Sequence, residues 1–394
     1  MAEKTVKLYL FFTSLTKLGI SFVLATYVVF LLSRGLNLFE VNLVNFVFVA
    51  VLFICEVPTG VIADIFGRKL SFVISCFLSS LGTIIYAFSN SLGSFILAEA
   101  ILAVGIAFAN GAFNAWLVDK LDYHNYTGSL TRIFSRSQQL SYLISIVGAL
   151  VGSYLADLDS IFPWFVSGVV MLVAGILAWF FIKEEYFVKQ KFSWKEKLQS
   201  AKTMVSFSAS YGLKNGAIKF VVILGLVQNF AIQAPNMQWQ PFFSQFMLDK
   251  FSLGLMFAGM SIFLAIGAAI STHFLKLIKS EKLALALSQS IIAIGIILAS
   301  WFIWFPLIVT VFMFHEIGRG LFMPLKDVYL NKHIPSKQRA TLISFESMSR
   351  HVGAMVGLLV SGLLAQASSI NTTWLVFGAV LLLSNFLVFR HIRK

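Results

Sequence analysis

The sequence predicts an all-α membrane protein of about twelve transmembrane helices in two six-helix bundles. Apolar residues make up 58% of its 394 residues and charged residues only 12%, whereas a soluble domain carries about 25% charge. So few charges cannot cover a surface that faces water, and lipid is therefore the expected solvent. Two further observations support this fold class. Apolar runs of span length follow one another along the chain, and the basic residues between them alternate in abundance from loop to loop.

Each apolar run is long enough to cross a bilayer as a helix, which takes about 20 residues. We expect spans at 8–33, 39–62, 70–88, 94–118, 131–156, 163–182, 216–246, 252–275, 282–303, 306–325, 340–366 and 372–389. The first run is too long for the apolar core of a cleaved signal peptide, so we expect the first helix to remain in the mature protein.

The charges of the loops predict the topology. One set of loops carries most of the basic residues: Lys4, Lys7, Arg68, Lys69, Lys120, the lysines of 183–214, Lys276, Lys279, Lys282, Lys326, Lys332, Lys337, Arg339, Arg390, Arg393 and Lys394. The only basic residues of the alternate loops are Arg34 and Lys250. The positive-inside rule then places both termini in the cytoplasm. Because the net charge of +13 is spread in this pattern and forms no single patch, nucleic-acid binding is not expected.

One long polar connector, residues 183–214, divides the chain into an N-terminal bundle, 1–182, and a C-terminal bundle, 215–394. Trp194, Leu198, Met204 and Val205 of the connector can share one side of a helix. This spacing predicts an amphipathic helix on the membrane surface within a cytoplasmic linker.

The two halves repeat a small-residue motif at the same ordinal span. Span 5 contains Gly148 and Gly152, and span 11 contains Gly353 and Gly357. Each pair has the spacing that lets two membrane helices approach closely. The repeat predicts two parallel halves related by a pseudo-twofold axis along the membrane normal, with a substrate site near the midplane.

The charged turn between spans 2 and 3 is the most specific local signature. Residues 60–69 read Gly-Val-Ile-Ala-Asp-Ile-Phe-Gly-Arg-Lys, and this turn resembles the loop between helices 2 and 3 of the major facilitator superfamily of secondary transporters. The resemblance implies a tight, ion-locked inner gate formed by Gly60, Asp64, Gly67, Arg68 and Lys69. It also implies that Asp119, at the end of span 4, pairs with Arg68. The family expectation is a monomer without cofactor or metal.

Three further stretches resemble bacterial drug-exporter-like members of that family: residues 56–64, 111–119 and 331–341. This resemblance implies efflux by alternating access, proton-coupled antiport and a place in the bacterial cytoplasmic membrane. The arginine that many antiporters carry in span 4 is absent; Ile101 stands near its expected place, and Glu99 is the ionisable residue close by.

Lys17 and Glu56 are ionisable residues expected well inside the hydrocarbon, where a charge needs a partner or a wet cavity. Glu56 precedes Asp64 by eight residues, about 12 Å along a helix, so an ion pair with Lys17 is geometrically possible. Three interpretations are open: a static salt bridge, a carboxylate whose protonation depends on Lys17, and a Lys17 side chain that reaches to the membrane surface.

A denser ionisable cluster lies on spans 10 and 11: His315, Glu316, Arg319, Glu346, Arg350 and His351. Glu316 and Arg319 are three residues apart, and Glu346 and Arg350 are four apart, so each pair can neutralise itself on one helix face. These pairs are either structural or parts of a network that exchanges protons. The His315-Glu316 dipeptide lacks the second histidine of a zinc motif.

Neutral polar residues predict the lining of a substrate cavity. They fall on spans 4, 5 and 7: Asn110, Asn114, Gln138, Gln139, Gln228, Asn229, Gln233, Asn236 and Trp239. Asn110 and Asn114 are expected one helical turn apart. An aromatic cavity with sparse hydrogen-bonding groups suits amphipathic organic molecules.

The leading hypothesis is therefore proton-coupled efflux of amphipathic small molecules, with Glu56 or Glu346 as the protonated group. Two alternatives are a transporter of one metabolite, siderophore or peptide, and an uncoupled facilitator of lipids or small molecules. An enzyme is not expected, because the chain shows neither a phosphate-binding loop nor a nucleophile–base motif.

Overall fold

The computed structural model of the chain describes residues 2–187, 214–334 and 339–392, and every regular element in those ranges is an α-helix. In chain order the helices are α1 (Ala2–Leu24), α2 (Tyr27–Ser33), α3 (Leu38–Phe66), α4 (Arg68–Phe88), α5 (Leu92–Ala109), α6 (Ala112–Tyr123), α7 (Leu130–Leu158), α8 (Phe162–Phe181), α9 (Gly216–Ala231), α10 (Gln233–Ser244), α11 (Phe251–Ile278), α12 (Glu281–Trp301), α13 (Phe305–His333), α14 (Arg339–Ala367) and α15 (Ile370–Ile392).

Twelve segments of the described chain are long and apolar enough to cross a membrane, which confirms the predicted fold class. Several helices extend beyond their apolar runs. The helix of span 10, for example, continues to His333, past the predicted end at residue 325. The predicted amphipathic helix falls mostly in residues 188–213, outside the described residues, so the division of the chain at 183–214 stays a prediction.

Span 4 is broken between α5 and α6. Asn110 has an extended ψ of 114°, and Gly111 has a φ of 77°, a left-handed conformation that glycine adopts without steric cost. The expectation that Asn110 and Asn114 lie one turn apart on a continuous helix is therefore wrong. Span 7 is also built from two helices, α9 and α10, which meet at Ile232.

The described residues form two contact units. The first unit contains residues 2–36, 47–187 and 247–257, and the second contains 37–46, 214–246 and 258–392. In the first unit α4 packs between α5 and α8, and α1 packs against α7 and α8. In the second unit α12 packs between α13 and α15, and α9 packs against α14.

The repeated glycine pairs lie at equivalent close helix contacts in the two units. A Cβ atom at Gly152 would lie 1.8 Å from Phe22 O, so α7 meets the backbone of α1. A Cβ atom at Gly357 would lie 2.4 Å from Phe230 O, so α14 meets the backbone of α9. Span 5 therefore crosses span 1 as span 11 crosses span 7, which agrees with the close approach that the motif predicts.

Candidate functional site

The signature turn joins α3 to α4 through a single residue. Gly67 has a φ of 100°, which a side chain would strain. A Cβ atom there would also lie 2.6 Å from Glu184 Oε2. Gly60, in contrast, lies inside α3, and a Cβ atom there would meet no described atom within 4 Å. Only Gly67 is therefore required for the tight connection that the resemblance implies.

Two carboxylates hold the first residues of α4. Arg68 Nε lies 2.9 Å from Asp119 Oδ2, so the implied pairing is present in the structure. The backbone N–H groups of Arg68 and Lys69 donate to Glu184 Oε1 and Oε2 at 2.8 and 3.0 Å. Glu184 thus supplies the cap that Gly67 cannot, and it places negative charge at the positive end of the helix dipole.

The segment after α8 is tied to the same end of the first unit. Trp116 Nε1 and Lys120 Nζ both donate to Lys183 O, each at 3.2 Å. Lys120 also forms an ion pair with Glu185, and its hydrogen bond lowers the pKa of the Glu185 carboxyl. No sequence motif marks Glu184 and Glu185, because both fall in the polar connector, where charged residues are ordinary.

Lys17 and Glu56 do not form an ion pair in the structure. The Glu56 side chain is exposed on α3, whereas Lys17 is half-buried on α1. Of the three interpretations, the static salt bridge is therefore wrong for this structure. The two side chains lie in the same contact unit, but the faces of α1 and α3 that carry them do not bring the charges together.

Glu99 is the deeply buried carboxyl of the first unit. It is 5% exposed on α5, and the polar groups beside it are the hydroxyls of Tyr27 and Tyr86, whose oxygens are 3.4 Å apart. Tyr86 stacks on Trp164 with ring centroids 4.2 Å apart, and both side chains are buried. Within the described ranges Glu99 has no cationic partner.

Both carboxylates of the ionisable cluster in the second unit are paired with cations. Arg319 Nη1 donates to Glu316 Oε1 at 2.8 Å, and Arg350 Nε lies 2.9 Å from Glu346 Oε1, so both predicted intrahelical pairs are present. Lys326 Nζ joins them at 3.1 Å from Glu346 Oε2. Lys326 was expected in a loop, but α13 continues past it and its side chain is 3% exposed. The sequence signal for a helical Lys326 is its spacing of seven residues from Arg319, which places both side chains on one face of a continued helix.

The two histidines of the cluster differ. His315 is buried, and its Nδ1 lies 3.1 Å from Phe312 O, so its ring is oriented by the backbone of its own helix. Glu316 Oε1 is farther from Nδ1, at 3.7 Å. His351 is half-buried on α14, next to Arg350.

The predicted cavity residues divide into two groups. Asn110, Asn114, Gln138 and Gln139 are exposed, and Asn114 Oδ1 accepts a hydrogen bond of 2.7 Å from Tyr9. On span 7, the amides of Asn229 and Gln233 donate to the backbone oxygens of Gly225 and Asn229 around the break between α9 and α10. Asn236 is half-buried, whereas Gln228 and Trp239 are buried. These two amides therefore bond to the backbone around the helix break, although the sequence predicts that they line the substrate cavity.

The similarity to known proteins extends along almost the whole chain. The family model of the Major Facilitator Superfamily matches residues 9–226 and 219–394. An uncharacterized MFS-type transporter of Bacillus subtilis, YxaM, is 25% identical over 94% of this chain and 92% of its own length. Multidrug resistance protein 1 of the same organism is 23% identical over 76% of this chain and 74% of its own. Among solved structures, a mutant of the nucleoside transporter NupG superposes with a TM-score of 0.83 at 13% identity, covering 98% of this chain and 99% of that one, a likeness of fold alone.

Proposed function

Because this chain belongs to the Major Facilitator Superfamily, and is a membrane transporter and not an enzyme, we propose that it exports amphipathic small molecules in exchange for protons. The observation that carries the proton coupling is Glu99, a buried carboxyl with hydroxyl partners and no described cation. The exporting direction is supported by the likeness to Multidrug resistance protein 1. We place the protein in the bacterial cytoplasmic membrane with both termini in the cytoplasm, acting as a monomer.

Glu99 suits a proton-carrying role because its surroundings favour the uncharged carboxyl. A carboxylate buried without a cation costs several kcal/mol, of the order of 3 at the centre of a membrane helix. Two tyrosine hydroxyls can satisfy both oxygens of a protonated carboxyl. One hydroxyl accepts from the carboxyl O–H, and the other donates to the carbonyl oxygen. A change of conformation that admits water to this site would let the proton leave.

Glu346 differs from Glu99 because two cations contact it. Lys326 Nζ and Arg350 Nε lie 3.1 and 2.9 Å from its two oxygens. Two cations at such distances offset the cost of burying the carboxylate, and Lys326 ties α13 to Glu346 on α14. Glu56, which is exposed and forms no ion pair within the described residues, is the second proposed proton site.

Reconstituted transport tests this function. Proteoliposomes with an imposed pH gradient are loaded with anilinonaphthalene sulfonate or ethidium, and dye movement is followed together with internal pH. We expect dye movement against its gradient to be accompanied by proton movement. Glu99→Gln should reduce both by about tenfold or more, as loss of an essential proton carrier does. Asp122→Asn, an exposed carboxylate at the end of α6, is the matched control and should leave both unchanged.

Concentrative dye movement that persists in both Glu99→Gln and Glu56→Gln would contradict proton coupling through these groups. Transport that runs only down the dye gradient, with no proton movement in the wild-type protein, would favour the uncoupled facilitator.

A further inference from the structure

The cluster on α13 and α14 presents positive charge to whatever approaches it. The side chains of Glu316 and Glu346 are each 1% exposed, whereas those of Arg319 and Arg350 are 20% and 25% exposed. The carboxylates are thus sealed behind the guanidinium groups that neutralise them. A molecule that reaches this face meets N–H donors and not carboxylate oxygens.

Most of these donors have no hydrogen-bond partner in the described chain. Arg319 uses one nitrogen, Nη1, to bind Glu316. Arg350 contacts Glu346 through Nε at ion-pair distance, but that nitrogen does not meet hydrogen-bond geometry. Since each guanidinium carries five N–H donors, both have donors available for a ligand.

Helix geometry brings the two arginines to the same part of the second unit. Arg319 precedes Lys326 by seven residues, so it lies on the same face of α13 about 10 Å farther along the axis. Arg350 follows Glu346 by four residues, which is the same face of α14 about 6 Å along. Consecutive helices run in opposite directions, and Lys326 touches Glu346. Both guanidinium groups therefore lie on the side of this pair that is away from the α13–α14 connection.

The backbone of α9 holds Arg350 and Glu346 from behind. A Cβ atom at Gly225 would lie 3.0 Å from Glu346 Oε1 and 3.3 Å from Arg350 Cγ. The stem of Arg350 is therefore packed while its head remains accessible, which reduces the entropy lost when a ligand binds. A side chain at position 225 would push the pair out of place.

The other ionisable groups of α13 and α14 do not cancel the positive charge of Arg319 and Arg350. Asp327, the remaining acid of α13, is 60% exposed and lies 3.2 Å from Lys326, on the connection side of the cluster. His315 is buried, and His351 stands beside Arg350, where a proton would add positive charge. The remaining ionisable groups of α13 and α14 at the level of the two arginines are therefore neutral or cationic.

We infer that this face selects amphipathic molecules that carry an anionic group, a carboxylate or a sulfonate, bound by Arg350 and Arg319. Guanidinium groups match planar and tetrahedral oxyanions with paired, charge-assisted hydrogen bonds. The inference rests on the proposed export function and narrows its substrate class from amphipathic molecules in general to amphipathic anions.

Three ligands that differ only in their head group test the inference: phenylbutyrate, phenylbutanol and phenylbutylamine. Each competes with anilinonaphthalene sulfonate for the purified protein, and binding is followed by fluorescence and by thermal shift. We expect phenylbutyrate to compete at a concentration lower than that of the alcohol by about tenfold or more, since one charge-assisted hydrogen bond supplies that much. The amine should be the weakest of the three.

Arg350→Gln and, separately, Arg319→Gln should remove most of the preference for phenylbutyrate over phenylbutanol. Arg350→Lys keeps the charge beside Glu346 but loses the paired donors, so its preference should be intermediate. Arg132→Gln, an exposed arginine on α7, is the matched control and should retain the wild-type preference. An unchanged melting temperature separates a lost contact from a lost fold.

Competition by phenylbutylamine at or below the concentration of phenylbutyrate would overturn the inference. So would an anion preference that survives in both glutamine variants. Neither result affects the proposed function, because proton-linked export of ethidium could still be measured. Conversely, an intact anion preference without proton movement would reject the coupling and leave the inference standing.

Discussion

Carboxyl groups inside the membrane have different partners in the two contact units. In the first unit, Glu56 and Glu99 have no ion pair within the described residues. In the second unit, Glu316 and Glu346 each contact at least one cation within 3.1 Å. A buried carboxyl without a cation favours its uncharged form, whereas an adjacent cation offsets the cost of burying the carboxylate. Under the proposed function, the first unit would carry the proton and the second would hold fixed charge for the ligand.

The corresponding turns of the two units differ as well. In the first unit, Gly67 takes a φ of 100° and Glu184 caps α4 from a distant part of the chain. In the second unit, Lys279 takes a φ of 58° between α11 and α12, and Ser280 caps α12 locally at 3.4 Å from Leu283 N. The turn of the first unit is thus held by a residue distant in sequence, whereas the turn of the second unit is held by its own residues.

The largest expected effect separates the two kinds of carboxyl. Lys326→Met leaves Glu346 buried with only Arg350, and we expect a loss of about 3 kcal/mol in the free energy of unfolding. Glu99→Gln should cost less than about 1 kcal/mol, because the amide replaces a protonated carboxyl between two hydroxyls. Thermal unfolding of the purified protein measures both. Adding Glu346→Gln to Lys326→Met should restore part of the loss, and equal losses in the two single variants would refute the distinction.

The next effect concerns the glycines of the signature turn. Gly67→Ala should lower stability by about 1 to 2 kcal/mol, because alanine is strained at that φ and its Cβ would meet Glu184. Gly60→Ala is the matched control inside α3, where alanine is a better helix former by about 1 kcal/mol. Melting temperatures should therefore shift in opposite directions. A common shift would mean that the turn does not depend on the backbone of Gly67.

Lys279→Gly makes the reciprocal change in the second unit. Glycine relieves the left-handed strain but also gives the unfolded chain more freedom, so we expect a gain of at most about 1 kcal/mol. The melting temperature should rise slightly or stay constant, while that of Gly67→Ala falls. A clear decrease in the Lys279→Gly variant would show that the lysine side chain has a structural role that its backbone does not explain.

The two helix caps should differ in strength. Glu184→Gln loses one of two acceptor oxygens and the charge at the start of α4, with an expected loss of about 1 kcal/mol. Ser280→Ala removes a bond that is already long at 3.4 Å, and should cost less than about 0.5 kcal/mol. Thermal unfolding distinguishes the two variants. The reverse order would contradict the importance assigned to Glu184.

The smallest effect is a pH dependence of the segment after α8. Lys120 lowers the pKa of Glu185 in the folded protein, so this pair stabilises the fold above the ordinary glutamate pKa and stops doing so as the pH falls below it. Because the Glu185 side chain is 51% exposed, the contribution should be only a few tenths of a kcal/mol, roughly that of a surface pair. Glu185→Gln should lower the melting temperature at pH 7, and this difference should shrink as the pH falls through the lowered folded pKa.

Interactions within a helix or within a motif were predictable from the sequence. The pairs Glu316–Arg319 and Glu346–Arg350 follow from helical spacing, and the Arg68–Asp119 contact follows from the family resemblance. The possible Lys17–Glu56 pair was wrong for this structure, since equal depth does not bring two helix faces together. Asn110 and Asn114 were separated because the break at Gly111 needs a backbone conformation that hydrophobic periodicity does not reveal.

The sequence by itself determined the solvent, the spans and the charge pattern of the loops, because each depends on the local composition of about 20 residues. Only the tertiary structure decided which ionisable groups share a site. Lys326 meets Glu346 across two helices, Glu184 reaches the N-terminus of α4 from beyond α8, and Glu99 lies beside two hydroxyls with no cation in the described chain. Periodicity assigns a residue to a face, whereas packing assigns a neighbour to that face. The charge state of a buried group depends on the neighbour.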